Sequence, residues 1–284
     1  MMAELKSFEA NRETAWCPGC GNFPLRTALS EALTEMDLNP EQVAMFTGIG
    51  QAAKMPHYIK VNGFNGLHGR SLPPSVGMKV ANPEMTVIVE SGDGCSYGEG
   101  GNHILHNIRR NLDIIHLVHD NQIYGLTKGQ ASPTTGYDIK TGVQTHGINA
   151  EPFNPVRFAV GMKASFVARS FVGDREHLKE MIKAARQHRG YALIDIFQPC
   201  VSFNKVNTYQ WYKERVYKLK DHDPSNYEAA VRLADEFGDE IPIGIIYKEE
   251  KPTFRDRIPF LEDKALVNRK VKVQDMEYLL DEFK

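Results

Sequence analysis

Between Thr86 and Gln130 the chain reads TVIVESGDGCSYGEGGNHILHNIRRNLDIIHLVHDNQIYGLTKGQ, and this stretch restricts the fold more than any other. An apolar run from Thr86 to Val89 ends in Gly92-Asp93-Gly94, a helical pattern follows, and a second apolar run, Ile114 to Val118, ends in Asp120-Asn121. That order predicts a strand, a crossover helix and a second parallel strand, with polar residues at both carboxyl ends. Ligands of open parallel sheets sit where strands end, so Asp93 and Asn121 are expected to meet in one crevice. A carboxylate and an amide oxygen are hard ligands, suited to magnesium or calcium rather than zinc. Gly92 and Gly94 leave room for a phosphate against the backbone, and the amides opening the next helix can hold the anion. The unit therefore reads as a metal-bridged diphosphate site. Gly-Asp-Gly alone would as readily be a turn, and Asp-Asn a plain strand end; their pairing across one crossover favours the site.

The remaining pattern extends the same architecture. Leu25, Ala28, Leu29, Ala32, Leu33 and Met36 recur at helical spacing within Phe23 to Asp37. A buried strand, Val43 to Thr47, follows and ends at Gly48 and Gly50, so Ile49, Gly50, Gln51 and Ala52 are expected to border the crevice. Helices are predicted over Ser71 to Ala81, with Pro73 and Pro74 in the tolerant first turn, and over Gly100 to Asn111, with Ile104, Leu105 and Ile108 facing the sheet. A helix from Pro155 to Met162, a strand from Phe166 to Phe171, a helix from Asp174 to His188 and a strand from Ala192 to Phe197 complete an α/β, doubly wound parallel sheet of about five or six strands. Ile123 to Gly147 reads as a functional loop, being glycine- and threonine-rich with few large apolar residues. Residues 1–202 are thus expected to form the α/β domain, and residues 203–284 a C-terminal extension lying along a partner, with one helix from Tyr227 to Phe237 and the remainder charged and irregular.

Composition narrows the class. A net charge of -2 supplies no basic field for nucleic acid, and no apolar run approaches membrane-spanning length. The polar start, MMAELKSFEANRET, does not read as a signal peptide, so a cytoplasmic location is the expectation. Four cysteines, two of them as Cys17-Pro18-Gly19-Cys20, fit metal or cluster chemistry in a reducing compartment better than structural disulfides. Such a pair serves as half a zinc site, a redox couple or part of an iron–sulfur set, and no second pair completes a zinc site. His103, His106 and His116 invite a metal reading too, but Asp93 and Asn121 offer a simpler one.

Gly-Asp-Gly followed one crossover later by a strand-end asparagine resembles the thiamine diphosphate motif. With GGNHILHNIRRN and DNQIYGLTKGQASPTT, the chain from roughly Trp16 to Gln210 resembles the beta subunit of the 2-oxoacid:ferredoxin oxidoreductases. The resemblance implies a thiamine diphosphate-binding fold, with magnesium held by Asp93, Asn121 and the carbonyl of Ile123. It sets Gly125 and Leu126 against the thiamine, and makes His68, in Leu-His-Gly-Arg, a cofactor contact; the plain alternative is a hydrogen-bonded core histidine. Cys17, Cys20 and Cys200 are implied ligands of a [4Fe-4S] cluster, but Gln51 stands where the family carries a further cysteine. Cys95, after Gly-Asp-Gly, is either a replacement ligand or a small buried thiol lining the cofactor site. Lys128, in Leu-Thr-Lys-Gly-Gln, resembles members acting on 2-oxoglutarate or a broad set of 2-oxoacids. Its ammonium would pair with a distal carboxylate, assisted by Lys54, unless both lysines are simply solvated.

The activity so implied is coenzyme A-dependent oxidative decarboxylation of a 2-oxoacid, 2-oxoglutarate favoured, to an acyl-coenzyme A, with electrons passing to ferredoxin. An alpha subunit is the implied partner, supplying the glutamate for the cofactor's aminopyrimidine ring, so that this chain alone is expected to be inactive. The rival readings are a thiamine-dependent decarboxylase or synthase subunit without electron transfer, and a cofactor-binding regulatory subunit.

Overall fold

Both strands of the crossover unit form, and they occupy the middle of one eight-stranded sheet. The computed structural model describes residues 8–261, 264–270 and 281–283, so Met1 to Ser7 and parts of the tail lie outside the described residues. The strands are β1 (Val43–Thr47), β2 (Asn62–Asn65), β3 (Thr86–Gly92), β4 (Ile114–Asp120), β5 (Phe166–Phe171), β6 (Tyr191–Phe197), β7 (Val216–Lys218) and β8 (Ile241–Lys248). Their spatial order is β2-β1-β3-β4-β6-β5-β8-β7. Every pairing is parallel except β5 with β8. The chain leaves β1 for β2 on one side and returns to β3 on the other. That reversal opens a crevice at the carboxyl ends of β1, β3 and β4.

Strands buried on both faces need apolar layers on both sides, and the two-residue period of the side chains divides them. Val43, Met45, Ile88, Ile115 and Leu117 join α1 (Asn22–Glu35) and α5 (Arg175–Gln187) in one layer. Ala44, Phe46, Val87, Val89, Ile114 and Val118 face α2 (Leu72–Ala81), α3 (Gly101–Arg110), α4 (Pro155–Gly161) and α7 (Tyr227–Asp235) in the other. The expected inward stripes hold: Leu25, Ala28, Leu29, Ala32 and Leu33 of α1 are buried, as are Leu178, Ile182 and Ala185 of α5. Asp174 caps α5 by accepting the His177 N–H at 3.1 Å.

The sheet is wider than expected, and the added strands sit at its edges. β2 falls where the sequence predicts loop: its four residues are all exposed, and Asn-Gly-Phe-Asn has no buried alternation. The larger difference lies in the extension. Residues 216–248 contribute β7 and β8 to the same sheet, with the expected helix α7 packed against it, and the extension buries Tyr212, Ala230, Ala234, Ile241, Ile243 and Ile246. Pro242 and Gly244 interrupt Ile-Pro-Ile-Gly-Ile-Ile-Tyr and give β8 the look of irregular chain. The segment between β6 and β7 includes one short helix, α6 (Tyr209–Lys213).

Two buried polar side chains fasten this extension. Asn111, at φ 56 where α3 ends, accepts from Ser165 Oγ at 2.6 Å and from the Tyr191 N–H at 3.0 Å, and donates to the carbonyls of Lys251 and Pro252. Arg169 of β5, 2% exposed, donates to the carbonyls of Ala234 and Glu236 at 3.2 Å and lies over the Phe197 ring. An Arg169→Leu variant leaves those buried carbonyls without a donor and the nearby Asp195 without its cation. It should lower unfolding stability by about 3 kcal/mol, read as an earlier urea midpoint. An unchanged midpoint would show that the extension is held by apolar packing alone.

Candidate active site

The carboxyl ends of β1, β3 and β4 enclose a cavity of about 480 Å³. From β1 it takes Ile49, Gly50, Gln51 and Ala52; from β3, Gly92, Asp93, Gly94 and Cys95; from the segment after β4, Asn121, Ile123, Gly125 and Leu126; and from the loop after β2, His68. Each of these positions is expected from the sequence. Four further lining residues are not: Glu99, Tyr124, Thr127 and Gln130. Lys54 and Lys128 do not line the cavity. Lys54 is half-buried beside the lining residues Gln51 and Ala52, and Lys128 is exposed between Thr127 and Gln130 with φ at 74.

Asp93 stands where β3 passes into one π-helical turn, Gly94–Glu99, and is 1% exposed. Thr134, from the long loop after β4, places its Oγ1 2.7 Å from Asp93 Oδ2 and 2.8 Å from Asp120 Oδ1. One hydroxyl has one proton, so it donates to a single carboxylate at a time. Burial pushes both carboxyls above their usual range, and Asp120 is raised further by the charges of Asp195 and Asp93. Asp195, pushed up to about 6 by burial, accepts from Tyr97 Oη at 2.6 Å. Three buried carboxyls thus gather beneath the strand ends, and a divalent cation in the crevice would offset the charge of Asp93. The next side chain suited to such an ion is Asn121, whose Oδ1 accepts the Ile123 N–H at 3.1 Å across a turn through Gln122 at φ 57. Asn204 Nδ2 on the Asn121 carbonyl and Thr135 Oγ1 on the Gln122 carbonyl, at 3.1 and 2.7 Å, hold that turn in place.

The opposite rim is built by residues that sequence patterns do not reveal. His68 Nε2 lies 2.8 Å from Glu99 Oε2, while Tyr124 Oη donates to the Gly94 carbonyl at 3.2 Å. Gly94 admits the Tyr124 ring: a Cβ there would come within 2.2 Å of the ring carbon Cε1. His68 Nδ1 is buried with no hydrogen-bond partner among the described residues, so its second nitrogen is left for a ligand rather than for the core. Glu99 carries no signal because it belongs to a π turn, where helical spacing gives no guide.

The histidine set dissolves on folding. His116 is buried between Ser96 Oγ at 3.2 Å and Tyr191 Oη at 2.7 Å, and burial pushes its pKa down to about 3, holding it neutral. Among the described residues no three or more His, Cys, Asp or Glu side chains form a ready-made site for a single metal ion. The cysteines divide into two environments. Burial, together with the neighbouring Cys200 and Cys17 thiols, pushes the Cys20 pKa up. Cys95 is 2% exposed and its Sγ accepts the Gly69 N–H at 3.1 Å, which favours the cavity-lining reading over the cluster-ligand one. All four cysteines are free thiols.

The chain is similar to several known proteins. A family described as "Thiamine pyrophosphate enzyme, C-terminal TPP binding domain" matches residues 42–196, and the family of C-terminal regions of the pyruvate ferredoxin oxidoreductase beta subunit matches residues 200–263. The chain is 42% identical over 260 residues to 2-oxoacid:ferredoxin oxidoreductase 1, subunit beta, of Aeropyrum pernix, covering 86% of this chain and 80% of that one. It is 39% identical over 223 residues to the 2-oxoglutarate oxidoreductase subunit KorB of Mycobacterium tuberculosis, covering 77% and 60%. Among solved structures, the 2-oxoglutarate:ferredoxin oxidoreductase of Magnetococcus marinus, with 2-oxoglutarate, coenzyme A and succinyl-CoA bound, superposes with a TM-score of 0.90. It is 33% identical, with 98% of this chain and 94% of that chain covered.

Gly94→Ala tests the rim. The added methyl displaces the Tyr124 ring, so magnesium-dependent thiamine diphosphate binding followed by calorimetry should weaken by about tenfold or more. Gly77→Ala in α2, where an added Cβ meets nothing within 4 Å, serves as the control and should leave affinity unchanged.

Proposed function

The chain belongs to the family of beta subunits of 2-oxoacid:ferredoxin oxidoreductases, and from that premise we propose that it binds thiamine diphosphate and magnesium for the coenzyme A-dependent oxidative decarboxylation of a 2-oxoacid, 2-oxoglutarate favoured, with ferredoxin as electron acceptor. The observation that carries the reading is the single cavity in which Asp93, Asn121, Ile123, His68 and the Gly92–Cys95 backbone converge. Asp93, Asn121 and the Ile123 carbonyl hold the magnesium, and the Gly92 and Gly94 backbone leaves room for the diphosphate. Thiamine diphosphate, when bound, supplies the electron sink that decarboxylation requires. Thr134 keeps Asp93 aimed by a hydroxyl contact from outside the cavity. His68, steadied by Glu99, presents Nδ1 to the cofactor.

Cys17, Cys20 and Cys200 are proposed to bind a [4Fe-4S] cluster beside the cofactor. Each is a free thiol, and Cys17 and Cys200 both lie near enough to Cys20 to help push its pKa up. Coenzyme A and 2-oxoglutarate are bound by the Magnetococcus marinus enzyme, and the 2-oxoglutarate name recurs among relatives from Mycobacterium tuberculosis and Methanocaldococcus jannaschii. An alpha subunit is the proposed partner. Ile49 and Leu126 are large apolar side chains left exposed on the cavity rim, and Leu67, next to His68, is 69% exposed; a partner covering them would close the site. The C-terminal extension, residues 203–284, is proposed to contact the same partner. Among the described residues no helix is long and apolar enough to cross a membrane, and unpaired thiols accord with a cytoplasmic enzyme.

The direct test is anaerobic, coenzyme A-dependent reduction of a viologen dye by the chain purified with its alpha subunit. 2-Oxoglutarate should outpace pyruvate and branched 2-oxoacids, and the chain alone should give no turnover. Decarboxylation without dye reduction would instead make the chain part of a non-redox decarboxylase.

Lys128 supplies a second test with two readouts. Its φ of 74 lies in the left-handed region that costs a side-chain-bearing residue about 1 kcal/mol. Lys128→Gly should therefore raise the thermal midpoint while reducing the preference for 2-oxoglutarate over pyruvate more than tenfold, the loss of about 2 kcal/mol of charge-assisted pairing. A stabilised variant with unchanged preference would remove Lys128 from substrate recognition.

A further inference from the structure

Oxidative decarboxylation of a 2-oxoacid with coenzyme A yields a thioester, carbon dioxide, two electrons and one proton, and that proton begins on the thiol. The ionised 2-oxoacid has none to give up. A group in the cavity is therefore needed to accept it. Five lining side chains titrate: His68, Asp93, Cys95, Glu99 and Tyr124. Asp93 is engaged by Thr134 and by the metal proposed there, and Cys95 Sγ accepts the Gly69 N–H. Burial, and then the charge of Glu99, push the Tyr124 phenol up, so it stays protonated and is no base. His68 and Glu99 remain, and they are joined to each other.

Their contact fixes where the imidazole can receive a proton. His68 Nε2 lies 2.8 Å from Glu99 Oε2, and a carboxylate only accepts, so Nε2 carries the hydrogen and the neutral ring keeps its lone pair on Nδ1. Nδ1 is also the nitrogen with no hydrogen-bond partner among the described residues. The pair is tightly built. Gly69, at φ 73, packs so closely on the residue that follows the cavity wall that a Cβ there would come within 2.6 Å of the Glu99 backbone. Tyr124 flanks both members, its ring centroid 5.9 Å from that of His68 and its Oη 3.4 Å from Glu99 Oε2.

We propose that His68 Nδ1 accepts the thiol proton of coenzyme A, with Glu99 as the positioning residue that fixes the tautomer and steadies the imidazolium as it forms. The inference deepens the coenzyme A-dependent reading above and rests on it. In this step the S–H bond breaks with its electron pair left on sulfur, the proton passes to Nδ1, and sulfur forms its bond to the acyl carbon. The two electrons of the overall oxidation leave to ferredoxin, and the imidazolium returns its proton to water. Base catalysis by a positioned side chain contributes about 10²–10⁴-fold.

The test separates the two halves of a single turnover in the complex with its alpha subunit. Carbon dioxide released on mixing with 2-oxoglutarate alone reports the half before the thiol arrives, and acyl-coenzyme A formed on then adding coenzyme A reports the half that needs the base. His68→Gln should slow the second half about a hundredfold and Glu99→Gln about tenfold, each far more than it slows the first. Between about pH 7 and 8 the second half in His68→Gln should quicken about tenfold per pH unit, because only preformed thiolate reacts below the ordinary thiol pKa of about 8.5; wild type should lack that slope. Coenzyme A affinity, measured by calorimetry, should stay within about twofold in both variants, a result that a role in binding alone would not give. Equal slowing of the two halves, or a wild type with the same pH slope as His68→Gln, would overturn the base assignment and leave the proposed function in place. Glu99→Gln as fast as wild type in the second half would remove the positioning role. A wild-type complex that forms no acyl-coenzyme A would overturn the proposed function itself.

Discussion

One hydroxyl between two buried carboxyls organises the carboxyl end of this sheet. Asp93 and Asp120 end adjacent strands, and Thr134 is within 2.8 Å of both while able to protonate neither. Two carboxylates so placed repel in a region where water cannot screen them, and with Asp195 they form a buried acidic cluster opposed by the cation of Arg169. A folded protein tolerates such an excess only if protons or a bound cation neutralise it. The long loop after β4 is consequently structural as well as functional. It carries Thr134 and Thr135 back across the strand ends and closes the Asn121–Ile123 turn, so ordering the loop and shaping the proposed metal site are one event.

The same economy explains why rim residues come from unrelated segments. His68 follows an edge strand, Glu99 ends a π turn and Tyr124 opens the loop, yet they meet because Gly94 lacks the side chain that would keep the Tyr124 ring away. A π turn follows Asp93 in the chain. A regular α-helical start there would phase Cys95, Tyr97 and Glu99 differently, whereas the wider turn buries Cys95 and Tyr97 and leaves Glu99 half exposed at the cavity.

What can be read in the sequence follows from locality. The strand-crossover-strand unit, the apolar stripes of α1 and α5 and the Asp174 cap are encoded within a few neighbours, so spacing alone reveals them. The thirteen lining positions expected from strand-end logic and family resemblance gather in one cavity for the same reason: parallel strands bring their carboxyl ends together whatever their sequence separation. β8 escapes because its proline and glycine mimic a loop and its partner, β5, is about eighty residues earlier. Glu99 and Tyr124 escape because a rim contact between segments leaves no periodic trace. The lysines differ again: a side chain's charge can be read, but not whether its backbone aims it into the cavity.

The shape of the site finally argues that this chain is half of a catalytic unit. The sheet supplies the end of the cavity proposed for the metal, with its carboxylate, amide and backbone acceptors, and these groups come from one side only. Ile49 and Leu126, both lining residues, are 44% and 40% exposed, and the neighbouring Leu67 is exposed further. A site working on a 2-oxoacid needs water excluded where negative charge develops, since bulk water weakens every electrostatic contact made there. Nothing in residues 216–248 reaches over the opening, because β7 and β8 are committed to the far edge of the sheet. The wall that completes the cavity is proposed to come from another chain, and the exposed leucines and isoleucine are the surface it would cover.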